Sequence, residues 1–215
     1  DKIEVIHLGV NMNNPANPPA DPLSRYGLTE KKYFLYMGTL EPRKNIPGII
    51  QAFNHVVSIN ESYKNNYKLV IAGQKGWFYK KIFAAVKKYH LENSVVFTGY
   101  INEAVKQPLL ANAFVFLYPS FYEGFGLPVL EAMAWGVPVI TANVSSLPEI
   151  AGDAALLIDP HQWQEIAEAM RRLLTEPSLY DRLAKKSREQ AKTFSWQKTA
   201  EKTLELFDSL RNNEE

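Results

Sequence analysis

Cysteine is absent from all 215 residues. That excludes disulfides, thiolate metal sites and a cysteine nucleophile, and it fits a reducing compartment. Net charge is nearly absent as well. The 24 Lys and Arg stand against 23 Asp and Glu, a formal +1, so no whole-chain field would draw nucleic acid or an anionic membrane. No apolar run reaches the roughly 18 residues of a membrane-spanning helix. The opening DKIEVIHLGVNMNNPANPP lacks the basic-then-apolar layout of a signal peptide. These absences predict a soluble, cytoplasmic chain. There is no Asp-x-Asp metal motif, and His7, His55, His90 and His161 show no metal-ligand spacing; the four histidines read as structural or surface residues. What the chain has is apolar bulk: 46% hydrophobic residues are ample for a sizeable core.

That bulk is organised. The Asn- and Pro-rich stretch NMNNPANPPADPLSRYGL has no periodicity and reads as a loop. After it, strand-like runs YFLYMG (33–38), KLVIAG (68–73), SVVFTG (94–99), FVFLYP (114–119), VPVIT (137–141) and AALLID (154–159) alternate with helical patterns. Ile46, Ile49, Ile50, Phe53, Val56 and Val57 mark one helix, and Phe78, Ile82, Val86 and Tyr89 another. Shorter helices are expected near 103–112 and 127–135, and three more close the chain near 161–175, 178–192 and 195–211. Several strands are almost continuously apolar, which indicates a parallel sheet covered on both faces, a doubly wound α/β, Rossmann-like fold. No internal repeat is present. The chain divides into a lead-in segment and loop (1–30), the α/β domain (31–194) and a C-terminal helix (195–215).

In such sheets ligands sit outside the carboxyl ends of the strands. Three of those exits, at Gly38-Thr39, Gly73-Gln74 and Gly99-Tyr100, begin with glycine, whose missing Cβ lets backbone approach a ligand. The richest exit is FYEGFGLPVLEAMAWGVPVI, residues 121–140. Pro128 suits a first helical turn, so the N–H groups of Gly126 and Leu127 would point out of a helix start, an anion site suited to phosphate. Glu131 lies one turn further in. A carboxylate beside a phosphate repels it, so Glu131 is better placed to hold hydroxyls such as those of a ribose. Glu123, before the turn, would meet a second hydroxylated group. A diphosphate between two hydroxyl-holding carboxylates describes a nucleotide sugar. A helix dipole contributes roughly 0.3–1 kcal/mol, too little for a diphosphate, whereas charge-assisted hydrogen bonds add about 1.5–3 kcal/mol each. Arg43 and Lys44 in GTLEPRKN supply the cations at a helix start where the dipole disfavours them.

Together PSFYEGFGLPVLEAMAWGVPVIT, GTLEPRKN, LPEIAGDAALLIDP and FSW resemble the GT-B family of retaining glycosyltransferases, group 4, and among them the mannosyltransferase-like bacterial and archaeal members. The resemblance runs from about Ile3 to Leu210, and Glu123 and Glu131 match that family's E-x7-E motif. It implies a donor-binding C-terminal domain whose acceptor-binding N-terminal domain is missing, so that the chain is expected to be a fragment. The helix stripe Trp196, Ala200, Leu204, Phe207 and Leu210 would cross back to that domain. The implied roles are these: Arg43 and Lys44 neutralise the diphosphate; Gly126 and Leu127 bind the distal phosphate; Glu131 holds the ribose; Glu123, Gly124 and Phe125 orient the sugar; Tyr100 and Ile101, after Gly99, line the base pocket. Gly38 and Thr39 flank the donor, although many relatives carry arginine where this chain has Thr39. The implied reaction transfers a hexose, most narrowly mannose from GDP-mannose, with retention to a glycan or lipid-linked acceptor. It needs no cofactor or metal, with leaving-group charge carried by Arg43, Lys44 and the helix start.

A non-catalytic nucleotide-sugar-binding domain is the alternative. A hydrolase using Glu123 and Glu131 as its pair leaves the phosphate features unexplained. An oxidoreductase using GFGLPV as a dinucleotide turn leaves Glu123 unexplained. Lys80, Lys81, Lys87 and Lys88 read as a solvated helix face, with peripheral membrane contact of the full-length protein left open. Ser145 and Ser146 have no triad partners at recognisable spacing, Asn60 and Asn143 match glycosylation sequons irrelevant in a cytoplasmic protein, and Trp135 reads as a packing residue.

Overall fold

In a computed structural model the described residues are 3–12 and 22–212; the middle of the predicted Asn/Pro-rich loop lies outside them. Six parallel strands form one sheet: β1 (Tyr33–Met37), β2 (Lys68–Ala72), β3 (Val95–Gly99), β4 (Val115–Tyr118), β5 (Val139–Ala142) and β6 (Ala155–Ile158), in the order β3-β2-β1-β4-β5-β6. The doubly wound reading holds. The chain builds outward from β1 through β2 to β3, then returns to the other side of β1 with β4. The gap between the exits of β1 and β4 is therefore the topological switch point, where α/β sheets take ligands.

Strands β1 and β4 are buried at every position, as central strands covered on both faces must be. Helices α2 (Ile46–Ser58), α4 (Lys80–Lys88) and α8 (Trp163–Thr175) pack as one layer, and α5 (Glu103–Ala111), α6 (Leu127–Ala134) and α9 (Pro177–Lys192) as another. The apolar stripe of α2 meets the sheet fully: Ile46, Ile49, Ile50 and Phe53 are 0% exposed. Phe34 of β1 touches Phe53, Tyr67 and Phe114 at ring-centroid distances of 6.1, 5.9 and 5.7 Å. No described helix is long and apolar enough to cross a membrane.

Four local features depart from the sequence reading. A single helical turn, α1 (Pro22–Arg25), interrupts the predicted loop, closed by the Gly27 N–H to Ser24 C=O bond. A short helix α3 (Glu61–Asn66) precedes β2, capped where Asn60 Oδ1 accepts from the Ser62 N–H at 2.9 Å, so the sequon asparagine is a helix cap. A five-residue helix α7 (Leu147–Ala151) follows β5. All three are too short to show a 3.6-residue period. Phe78 is the fourth: it has φ +54° and stands 71% exposed before α4 begins at Lys80, so it does not belong to the apolar stripe of Ile82 and Val86.

The described beginning and end of the chain meet. Val10 N–H donates to Phe194 C=O, and Thr199 Oγ1 donates to His7 C=O. Gly9 lies against the start of the last helix, α10 (Trp196–Asn212), so closely that a Cβ would sit 2.0 Å from the Trp196 nitrogen. His7 pairs with Glu149 at 2.6 Å and packs its ring against Phe194 and Phe125. Beyond Trp196 the apolar stripe of α10 is open to solvent, with Leu204 62%, Phe207 61% and Leu210 56% exposed.

Glycine is required where the strand exits crowd together. Gly38 N–H donates to Ala72 C=O and Gly73 N–H to Gly99 C=O, so the three exits are tied in a row. Gly73 adopts φ +147°, and a Cβ there would fall 1.9 Å from the Gly38 oxygen. Gly73→Ala is therefore expected to lower unfolding stability in a denaturant titration by roughly 2 kcal/mol or more, the scale of a strained backbone plus a backbone clash. Gly124→Ala, where a Cβ meets nothing within 4 Å, should change it by less than about 0.5 kcal/mol.

Candidate functional site

The loops leaving β1 and β4 face each other across the switch point and are joined by charge. The β1 exit forms a 3-10 turn, Pro42–Lys44, ended by Asn45 in the left-handed region at φ 54°. This turn delivers two cations to one carboxylate. Lys44 Nζ donates to Glu123 Oε1 at 2.6 Å and Arg43 Nη1 to Glu123 Oε2 at 2.7 Å. Arg43 also donates to Tyr122 C=O at 2.7 Å and to Glu41 Oε1 at 2.8 Å. Glu123 and Lys44 are each only 7% exposed, so their pairing satisfies both charges that burial would otherwise penalise. Lys44 makes a third contact, donating to the Tyr118 hydroxyl at 2.7 Å with Nζ 4.9 Å from that ring's centroid.

Burial alone would raise the Glu123 carboxyl pKa. The hydrogen bond and charge of Lys44, with the hydrogen bond of Arg43, help to outweigh it and hold the carboxyl below its ordinary range. Burial and the Glu123 charge push the Tyr118 phenol strongly upward, so it stays protonated. Arg43, Lys44, Glu41 and Glu123 together are neutral, two cations against two carboxylates.

Backbone and hydroxyl bonds fix the β4 exit in place. Phe121 N–H donates to Arg43 C=O at 2.9 Å. Ser146 Oγ donates to Glu123 C=O and Phe125 C=O, at 3.1 and 2.6 Å, and Ser145 Oγ accepts from the Glu123 N–H at 3.1 Å. Ser145 and Ser146, without triad partners in the sequence, thus hold the glutamate loop. The chain then enters α6 through Gly126, the N-cap at φ 122°, with Pro128 in the first turn, the geometry of an anion-accepting helix start.

Glu131 faces a different partner set. Lys106 Nζ donates to Glu131 Oε1 at 2.5 Å and to Glu103 Oε1 at 3.2 Å. Burial would depress the Lys106 ammonium, yet the bond and charge of Glu131 leave its pKa raised. Gln107 links Glu103 to the Trp135 indole, which donates to Gln107 Oε1 at 2.8 Å. These side chains line a cavity of about 240 Å3 with Gly9, Val10, Leu127 and Trp196. Lys106 had no signal in the sequence because its partner is 25 residues away on another helix.

The structure therefore joins Arg43, Lys44 and Glu123 in one cluster, with Gly38 at its edge, where a Cβ would lie 4.0 Å from Lys44 Cε. Leu127 and Glu131 line the second cavity. Thr39 turns its methyl toward Gly76 and its carbonyl accepts from the Tyr36 hydroxyl at 3.1 Å. Gly99 has φ +70°, Tyr100 is 78% exposed and Ile101 is partly buried against the core. Gly124 is exposed and Phe125 half-buried beside His7. Among the described residues no cluster of three or more His, Asp or Glu could hold a metal ion.

The site thus gathers cations, a carboxylate and an open helix start at the switch point, where doubly wound sheets take ligands. Residues 25–190 match the family described as "Glycosyl transferases group 1", and the chain belongs to that family. It is 36% identical to O-antigen chain mannosyltransferase B of Escherichia coli over 98% of its own length and 55% of that protein. It is 32% identical to the serotype-specific mannosyltransferase WbdA of the same organism, over 86% of this chain and 23% of that one. The chain thus spans about half the length, or less, of these curated relatives. Among solved structures, sucrose-phosphate synthase from Thermosynechococcus elongatus superposes with a TM-score of 0.83 at 28% identity, over 98% of this chain and 53% of that one. The Anabaena protein HepE in complex with UDP and glucose shares the fold at 22% identity, with a TM-score of 0.83 over 96% of this chain and 56% of that one.

Lys44→Met leaves the Glu123 carboxylate with Arg43 alone and should cost about 3 kcal/mol of unfolding stability, the lower end expected for breaking a buried ion pair. Because the folded carboxyl titrates below its ordinary range, the cluster's contribution is complete above the unfolded glutamate pKa. It is lost as pH falls through the lower folded value. Denaturation profiles should show the parent losing stability over that acid range and Lys44→Met losing less of it.

Proposed function

We propose that this chain is the donor-binding domain of a retaining glycosyltransferase that transfers a hexose from a nucleoside-diphosphate sugar, with GDP-mannose the expected donor. The observation that carries the proposal is the Arg43–Lys44–Glu123 cluster bridging the β1 and β4 exits beside the start of α6. Relatives named as mannosyltransferases support the choice of mannose. The relatives' greater length supports a further domain that completes the cleft and receives a glycan or lipid-linked acceptor.

On this reading the diphosphate lies over the helix start, where the Gly126 and Leu127 amides meet it, and draws on Arg43 and Lys44. These cations are already balanced by Glu41 and Glu123, so the ligand takes over part of their bonding. Glu123 uses two of its roughly four acceptor positions on Lys44 and Arg43; the remaining pair suits hydroxyls of the transferred sugar. Lys106 removes the difficulty of a carboxylate near phosphate: it neutralises Glu131, leaving that group free to accept from ribose hydroxyls. Departure of the nucleoside diphosphate develops negative charge, which Arg43, Lys44 and the helix start stabilise. No resident cofactor or metal enters the proposal. The proposal does not cast Glu123 as a nucleophile: the two cations bonded to its oxygens lower its nucleophilicity.

The test is calorimetric titration of the chain with GDP, UDP and ADP. One nucleotide should bind selectively, and Glu131→Ala should weaken it by at least ~1.5 kcal/mol, the scale of a lost hydrogen bond to a charged group. Binding of none of the three, or identical affinity in the variant, would count against the donor site and against the ribose role of Glu131 respectively.

A further inference from the structure

Arg43 also borders a second feature. Glu41, Pro42, Arg43, Trp77 and Phe78 line a shallow depression of about 320 Å3. Several exposed aromatics lie on the two loops that meet at Arg43. Trp77 is 78% exposed and Phe78 71%, while Tyr122 and Phe121, on the facing loop bonded to Arg43, are 63% and 38% exposed. Adjacent exposed rings beside polar groups make this depression a candidate binding surface.

The aromatic loop is built to stay where it is. Leu40 N–H donates to Gln74 C=O at 2.9 Å and Gly76 N–H returns a bond to Leu40 C=O at 3.0 Å. Gly76 packs against Thr39 so tightly that a Cβ would lie 2.7 Å from the threonine methyl. The loop bearing Trp77 and Phe78 is thereby clamped to the loop bearing Arg43. Phe78 itself sits at φ +54°, a conformation that is a genuine outlier for a bulky side chain and that persists only where its surroundings impose it.

We propose that this depression is a saccharide-binding subsite, with Trp77 and Phe78 as the apolar platform and Glu41 and Arg43 as the polar groups. A pyranose presents an apolar C–H face and an equatorial rim of hydroxyls. Its recognition needs an aromatic surface flanked by a few fixed donors and acceptors. The depression supplies both, and its guanidinium is the one that also holds Glu123. An anionic lipid surface would instead use the exposed Lys80 and Lys81 next in the chain, but the Glu41 carboxylate in the depression opposes it. The saccharide subsite does not rest on the glycosyltransferase reading.

The experiment is a nuclear magnetic resonance titration of the 215-residue chain with methyl α-mannoside and an α-linked mannobiose, following the Trp77 indole N–H, assigned as the signal that Trp77→Ala removes. The expected result is a saturable shift of that signal and of the Arg43 and Phe78 amides. Backbone amides should report at least fivefold weaker binding in Trp77→Ala. Phe78→Asn, which tolerates the left-handed backbone, should weaken binding similarly. Binding of the preferred nucleotide should stay within twofold in both variants. A Trp77 signal unmoved at saturating sugar, or unchanged sugar affinity in both variants, overturns the subsite. So does a Trp77 response to phosphatidylglycerol vesicles without one to sugar. Nucleotide binding with no saccharide binding sinks this proposal alone; saccharide binding with no nucleotide binding sinks the donor reading alone.

Discussion

Everything at the cleft depends on one buried carboxylate. Glu123 could not sit 7% exposed without cations, and Lys44 could not be equally buried without an anion. Each therefore determines where the other's loop lies. The pairing fastens the first strand's exit to the fourth's at the one place where the sheet changes direction. The Phe121–Arg43 backbone bond and the two serines of the β5 exit complete the fastening. Replacing Glu123 and Lys44 by apolar residues of similar size would suit stability alone at least as well.

The parts of this fold with a long period or a continuous apolar run were legible in the sequence. β1, β2 and β4, with α2, α8 and α9, fall close to their expected places because their burial is set by the chain itself. The short helices α1, α3 and α7 were not, since one or two turns carry no periodicity. Phe78 imitated a helical apolar position by its spacing from Ile82, and only the backbone conformation at 78 separates it from the helix. At the site, residue types and exits were readable but the pairings were not. Nothing local distinguishes a Glu123 facing hydroxyls from one shared between Arg43 and Lys44, and nothing in the chain pointed Lys106 at Glu131. Those facts belong to strand order, which brings residues some 80 apart into contact.

The two carboxylates of the glutamate motif also differ more than their symmetric spacing suggests. Glu123 is buried and held by two cations from another loop; Glu131 is half-buried and held by one lysine of the preceding helix, within a cavity that the lead-in segment helps to wall through Gly9 and Val10. That segment is in turn locked to the start of α10. The second glutamate therefore lies where the outermost described parts of the chain converge on the domain, and the first where its central strands do.

The neutrality of the switch-point cluster bears on how a ligand arrives. Two cations matched by two carboxylates, in a chain of formal charge +1, project little field beyond a few ångströms, so on the proposed donor reading a diphosphate would not be steered from a distance. Encounter would then be ordinary diffusion, with an on-rate nearly indifferent to ionic strength. Discrimination between donors would fall to how long each one stays.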